Sequence, residues 1–176
     1  MIRGTAALAG LSLALAGCTT TAELGHEAPP PVGAPGVTVR DPRIVFVESA
    51  KAMLGQPYRY GGAAPGGFDC SGLVAYAGDN AGIHLPRTAQ EQLRAGAPVP
   101  RAAVQAGDLV FMRLSHKTLH VGIAVGPGRF VHAPAAGRFV RIDSLDAPPY
   151  SGAFIAARRV PVAPSAKTPI PSLSAN

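Results

Sequence analysis

Three residues in this sequence have the types and the spacing to carry out acyl transfer together: Cys70, His120 and His132. A thiol becomes an effective nucleophile when a base takes its proton, and the base works best when a third group fixes its orientation. Cys70 follows Asp69, a good N-cap, and precedes Leu73, Val74, Ala77 and Ala81, an apolar stripe at helical spacing. It therefore falls in the first turn of a helix, where the partial positive charge of the N-terminus favours a thiolate. A lone cysteine also reads as a small buried hydrophobe. The rest of the chain has to decide between the two.

The two histidines sit on neighbouring strand patterns. His120 opens His120-Val121-Gly122-Ile123-Ala124-Val125, and His132 closes Arg129-Phe130-Val131-His132, with a turn signal at Gly126-Pro127-Gly128 between them. A hairpin centred on residue 126 sets 120 opposite 132, about 5 Å apart. A register shifted by two still leaves both on one face, because strand side chains alternate. The other histidines carry less. His116 and His120 have the i, i+4 spacing of a zinc pair, but Lys117-Thr118-Leu119 supplies neither the helix nor the general-base glutamate that such a pair needs. No metal or other cofactor is expected. His26 lies in a proline- and glycine-rich stretch, and His84 follows the second helix, where capping is role enough.

The elements that must position these groups can be read in order. Asp41-Pro42 opens a helix whose row is Ile44, Val47, Lys51 and Leu54, flanked by Val45, Ala50 and Met53, with Gly55 as the stop. From Pro57 to Gly67 there is too much glycine for regular structure. The Cys70 helix ends near Gly82. After Leu85-Pro86-Arg87, Thr88 and Glu91 form a capping box for a short third helix that stops at Gly96. The period then changes to short Val-, Ile- and Phe-rich runs at Leu109–Met112, His120–Val125, Arg129–His132, Phe139–Ile142 and Phe154–Val160. Helices followed by strands predict an α+β domain over residues 40–160, with N-terminal helices packed on a five- to six-stranded antiparallel sheet.

Outside that domain the sequence predicts processing and tethering. Residues 1–17 carry one arginine, Arg3, and an apolar run that is too short to span a membrane, so they read as an export signal. The ending Leu15-Ala16-Gly17-Cys18 resembles the lipobox of bacterial lipoproteins, which implies acylation of Cys18 and anchoring in a membrane. Thr19 is not the aspartate that marks inner-membrane retention, so an outer-membrane lipoprotein facing the periplasm is implied. Residues 18–39 are a Pro/Gly-rich tether, and 161–176 read as a disordered tail. With Cys18 committed to lipid, Cys70 has no partner within the chain; a Cys18–Cys70 disulfide would make the lipobox a coincidence. The chain has 16 Lys and Arg against 10 Asp and Glu, net +6, but the basic residues are scattered singly or in pairs. That pattern gives no nucleic-acid footprint and suits attraction to anionic wall polymers.

The motifs taken together resemble the NlpC-type cell-wall peptidases, which are papain-like cysteine peptidases. Those motifs are Gly55-Gln56-Pro57-Tyr58-Arg59-Tyr60-Gly61-Gly62, Phe68-Asp69-Cys70-Ser71-Gly72-Leu73-Val74, Leu85-Pro86-Arg87, Gly107-Asp108-Leu109-Val110-Phe111, His120-Val121-Gly122-Ile123 and Phe130-Val131-His132-Ala133. The resemblance implies Cys70 as nucleophile, His120 as base and His132 as the polar third member. It also implies hydrolysis of an amide bond in the stem or cross-link peptides of peptidoglycan. Tyr58 resembles the family tyrosine that touches substrate or oxyanion, and equally fits a half-buried loop anchor. Asp69 and Ser71 are candidates for contacting a stem peptide, although helix capping explains both. Arg87 suits a substrate carboxylate or a plain surface position. A monomer is expected. An amidase or acyltransferase with the same triad, and a wall-binding lipoprotein without turnover, are the competing readings.

Overall fold

The computed structural model describes residues 40–114 and 119–162. The export signal, Cys18, the 18–39 tether, His26, His116 and all but the first two residues of the 161–176 tail lie outside the described residues.

Helix α1 spans Pro42–Lys51, with the Asp41 carboxylate accepting from the Arg43 N–H at 2.8 Å. It buries Phe46, Val47 and Ala50 and leaves Ile44 exposed, and it ends before Leu54, which is exposed in the turn that follows. The inward stripe is therefore rotated from the expected Ile44–Leu54 row, since the Phe46 ring, which that row left out, has the largest apolar surface to hide. The glycine-rich stretch also contains structure: β1 (Ala63–Ala64) and β2 (Gly67–Phe68) pair antiparallel. The turn between them is Pro65-Gly66, with Gly66 at φ +104°, a conformation open to glycine.

Helix α2 spans Cys70–Asn80 and buries Leu73, Val74 and Ala77, as the stripe predicts. Asp69 is its N-cap, accepting from the Gly72 N–H at 2.6 Å. Gly72 packs so closely on the Gly62 carbonyl that no Cβ fits between them, which seats the helix start directly on the glycine loop. Helix α3, Ala89–Gln92, carries both halves of the Thr88–Glu91 capping box.

The main sheet has six strands: β3 (Ala97–Val99), β4 (Leu109–Arg113), β5 (Leu119–Gly126), β6 (Arg129–His132), β7 (Arg141–Ser144) and β8 (Phe154–Arg159). Their spatial order is β3-β8-β4-β5-β6-β7, antiparallel at every step. Strand β3 is not among the expected runs; Pro98 is tolerated in it because β3 is an edge. Strand β7 starts two residues later than its pattern suggests, and Phe139 instead bridges Pro57. One face of the sheet presents Leu109, Phe111, Val121, Ile123 and Val131 to α1 and α2. The other presents Val110, Met112, Ala124 and Phe130 to Leu145, Tyr150 and Ala153. Burying a side chain of this size stabilises by about 1.5–3 kcal/mol. Asp108, fully buried, accepts from Arg159 Nε at 2.9 Å and Nη2 at 2.8 Å, from the Gln105 N–H at 2.8 Å, and more distantly from Arg43 of α1. It ties the first helix to the start of β4 and the end of β8.

Candidate active site

The β5–β6 hairpin turns at Pro127-Gly128, between the paired residues Gly126 and Arg129. A bulge at Val125 then adds one residue to β5, so Ala124 faces Phe130 and Ile123 faces Val131. Continuing that register sets Gly122, not His120, opposite His132. The histidines are thus diagonal neighbours on one face, the two-residue shift of the expected pairing. The diagonal still brings them together. His120 Nε2 lies 2.7 Å from His132 Nδ1, and the rings meet edge to face at 5.0 Å.

Both imidazoles are buried, with His120 3% exposed and His132 fully enclosed between Phe130 and Tyr150. Burial pushes the pKa of each below the ordinary histidine value; for His120 the neighbouring His132 adds to the shift, and for His132 the Asp143 carboxylate opposes it. Both are therefore neutral near pH 7. On its far side His132 Nε2 is 3.0 Å from Asp143 Oδ2. Arg141 Nε donates to the same oxygen at 2.8 Å, and its Nη2 stands 2.8 Å away in the ion pair. Burial acts to raise the Asp143 pKa, but these hydrogen bonds outweigh it and hold the carboxyl below its usual range.

Cys70 meets β5 one residue beyond His120. The Ala124 N–H points to the β4 side, where it donates to the Asp108 carbonyl, so alternation turns the Val121 N–H toward the β6 side. By then β6 has ended at His132. The Val121 amide is left to the sulfur, joined by the amides of Ser71 and Cys70 at the helix start. These donors favour the thiolate, but burial of the sulfur and the nearby Asp69 carboxylate favour the thiol, and burial dominates. The net shift is upward. This reverses the expectation that the helix terminus alone would yield a thiolate, because the half-buried sulfur loses more to desolvation than the surrounding amides return.

Above the sulfur lies a cleft of about 490 Å³ lined by Tyr58, Tyr60, Asp69, Cys70, Ser71, Arg87 and Leu119, among others. All four candidate contact residues thus line the cleft that holds Cys70, while the imidazoles lie buried, with Leu119 beside His120 forming part of the wall. Asp69 is the organiser of this rim. Its carboxylate accepts from Gly61 and Gly72 amides at 3.0 and 2.6 Å and from both Arg87 Nη atoms at 3.0 and 2.7 Å. Arg87 also donates to Ser71 Oγ at 3.1 Å. Burial alone would raise the Asp69 pKa; the Arg87 and amide donors bring it down instead. The Tyr58 hydroxyl is pushed up, by burial and then by Cys70. His84 is remote, an exposed ring 3.2 Å from Asp79.

The sequence profile of the NlpC/P60 family matches residues 55–159, which include every one of these groups. The chain belongs to the NlpC/P60 family. It is 45% identical over 122 residues to a protein of Escherichia coli named murein DD-endopeptidase MepH, covering 66% of this chain and 45% of that one. Among solved structures it resembles an NlpC/P60 family protein from Bacillus cereus, with a TM-score of 0.62 and 34% identity over 66% of this chain and 39% of the other. It also resembles the NlpC/p60 domain of peptidoglycan hydrolase SagA, with a TM-score of 0.59 and 32% identity, covering 67% of this chain and 98% of that domain. The chain spans less than half the length of the MepH relative. The α+β architecture with its six-stranded antiparallel sheet is the NlpC/P60 fold.

Two features of the site were not found from sequence. Asp143 and Arg141 form the outer partner of His132; an acidic residue just past the expected Phe139–Ile142 run was a weak signal for this. Tyr60, 91% exposed on the rim, appeared only as one letter of a motif.

Proposed function

We propose that this NlpC/P60 domain hydrolyses an amide bond in the peptides of peptidoglycan, with Cys70 as nucleophile, His120 as base and His132 as the residue that orients it. The observation that carries the proposal is the 2.7 Å bond between His120 Nε2 and His132 Nδ1, in the strand whose next amide reaches the cysteine at the cleft floor. With Nε2 engaged, Nδ1 of His120 is the ring nitrogen left for the thiol.

The steps follow from that placement. As substrate enters, the Sγ proton passes to His120 Nδ1, and the sulfur attacks the amide carbonyl carbon. The oxyanion is met by backbone N–H groups at the start of α2. The imidazolium returns its proton to the departing amine nitrogen, leaving a thioester. Water then gives a proton to His120, attacks the thioester carbon and releases the acid, and the proton returns to sulfur. Because the resting thiol and imidazole are both neutral, the charge pair forms during the reaction. Tyr58, Ser71 and Arg87 line the approach of the stem peptide.

The likeness to a protein named murein DD-endopeptidase favours the D-alanyl cross-link as the bond cut, over the D-glutamyl bond within a stem. Acylation of Cys18 and a place in the bacterial envelope as an outer-membrane lipoprotein belong to the same proposal and rest on the sequence alone: the export signal of residues 1–17, the Leu15-Ala16-Gly17-Cys18 ending and Thr19. Mass spectrometry of purified cross-linked muropeptides, digested by the full chain and by Cys70→Ala, tests the reaction. New peptide termini at the cross-link, absent with Cys70→Ala, are expected. Uncut muropeptides, or equal cutting by both proteins, would overturn it.

A further inference from the structure

We infer that Asp143 is a positioning residue that sets the tautomer of His120 through His132, so that the lone pair of His120 is presented where the Cys70 proton must go. The inference rests on the proposed roles of Cys70 and His120 and extends them by two hydrogen bonds.

The logic is a count of protons. An ionised carboxylate can only accept, so the 3.0 Å contact between His132 Nε2 and Asp143 Oδ2 requires the proton on Nε2. A neutral imidazole has one N–H, so His132 Nδ1 then carries a lone pair. The 2.7 Å contact with His120 Nε2 must therefore be donated by His120. His120 is also neutral, so its Nδ1 is bare. One carboxylate thus fixes the direction of both hydrogen bonds, and the tautomer they leave on His120 is the one able to take a proton from sulfur.

Arg141 makes the device one-way. Its Nε donates to the oxygen that His132 meets and its Nη2 is ion-paired with that oxygen, which holds the carboxylate ionised and in place. The other group against Asp143 and Arg141 is the Tyr150 hydroxyl, which packs edge-on to His132 from the segment before β8. Without the carboxylate, the groups left on that side of His132 are the Arg141 guanidinium, which can only donate, and the Tyr150 hydroxyl, which can do either, so the guanidinium is the one fixed donor. A donor there calls for a bare Nε2 and a protonated Nδ1 on His132. His120 would then have to accept at Nε2 and carry its proton on Nδ1, the wrong side for the thiol. Asparagine at 143 has a different outcome: Arg141, able only to donate, keeps the amide oxygen in the shared position, so the direction survives while the charge is lost.

Ring ¹⁵N resonances of the histidines, read by NMR on the full chain, test this without any turnover. In the wild type, His120 and His132 should each be protonated at Nε2 and bare at Nδ1. Asp143→Ala should move the His120 proton to Nδ1 and lower kcat by about 10- to 100-fold with KM little changed. Asp143→Asn should restore the wild-type tautomers and recover part of kcat. A wild-type His132 protonated at Nδ1 would overturn the inference even if no variant folds. So would Asp143→Ala with unmoved His120 tautomer, or with kcat within twofold of wild type. Cleavage by Cys70→Ala would instead overturn the catalytic roles while leaving the tautomer result standing.

Discussion

His132 stands across the β5–β6 ladder from Gly122, and the bond it makes to His120 runs past that glycine on the diagonal. A Cβ at Gly122 would lie 2.6 Å from Phe130 Cδ2, 2.9 Å from the Val131 carbonyl and 3.2 Å from His132 Cβ. The Phe130 ring and the β6 backbone would have to give way. Gly122→Ala should therefore destabilise the domain by about 1–3 kcal/mol and lower kcat by displacing His132. Chemical denaturation alongside turnover measures both, and unchanged values would mean the hairpin is looser than its contacts indicate.

The Cys70 thiol makes a second prediction, because burial raises its pKa above that of a free cysteine. Near pH 7 less of it is thiolate, so alkylation by iodoacetamide should be slower than that of a cysteine in an unstructured peptide. The rate should keep rising at pH values where the peptide has levelled off. Cys70→Ser should fold like the wild type and lose cleavage. A midpoint below that of the peptide would show that the Val121, Ser71 and Cys70 amides outweigh burial.

A third prediction concerns acid. The folded pKa values of His120 and His132 lie below the ordinary 6.5, so the unfolded chain binds more protons than the native one as pH drops. Stability is then undiminished above about pH 6.5 and falls from there toward the lower folded values. The slope is at most about 1.4 kcal/mol per pH unit for each histidine. Asp69 and Asp143, held low by their partners, extend the loss below pH 4. Urea unfolding at pH 7 and pH 5 should differ in midpoint with the m-value unchanged; equal midpoints would mean that a buried imidazole accepts its proton in place.

Asp69 separates capping from ion pairing. Asp69→Ala removes the acceptor for the Gly61 and Gly72 amides and should cost about 1–2 kcal/mol. Asp69→Asn keeps the Oδ1 acceptor for the Gly72 amide, but loses the charge and the Oδ2 acceptor for Gly61 and for Arg87, whose side chain is 41% exposed. An ion pair that open to water is worth under about 1 kcal/mol. If thermal unfolding finds Asn as damaging as Ala, the Oδ2 contacts with Gly61 and Arg87 govern the rim and the cap of Gly72 is secondary.

Local chemistry in the sequence was enough to place α2 and its cap, because Asp69 and the Leu73-Val74-Ala77 stripe act within one helix. The shared face of His120 and His132 was legible for a similar reason: parity survives a slip of two. Their exact pairing was not, since it depends on the bulge at Val125, which no pattern of apolar residues marks. Asp143 was hidden for a deeper reason. Its contact with His132 requires the β6–β7 register, set by the Ala133–Val140 connection and by burial on both faces. Strand β3 was missed because edge position, a tertiary property, is what excuses Pro98.

The hydrogen-bonded line from His120 to Asp143 crosses the sheet with one residue from each of three successive strands. Each strand therefore carries a reading frame in the literal sense. Losing one residue within β5, β6 or β7 swings everything beyond it to the opposite side of the sheet, whereas the turn at Pro127-Gly128 and the Ala135–Gly137 bend carry none of the three groups. Descendants of this chain can drift in the length of those bends and keep the chemistry. Within the strands, inheritance tolerates changes of letter and rejects changes of count.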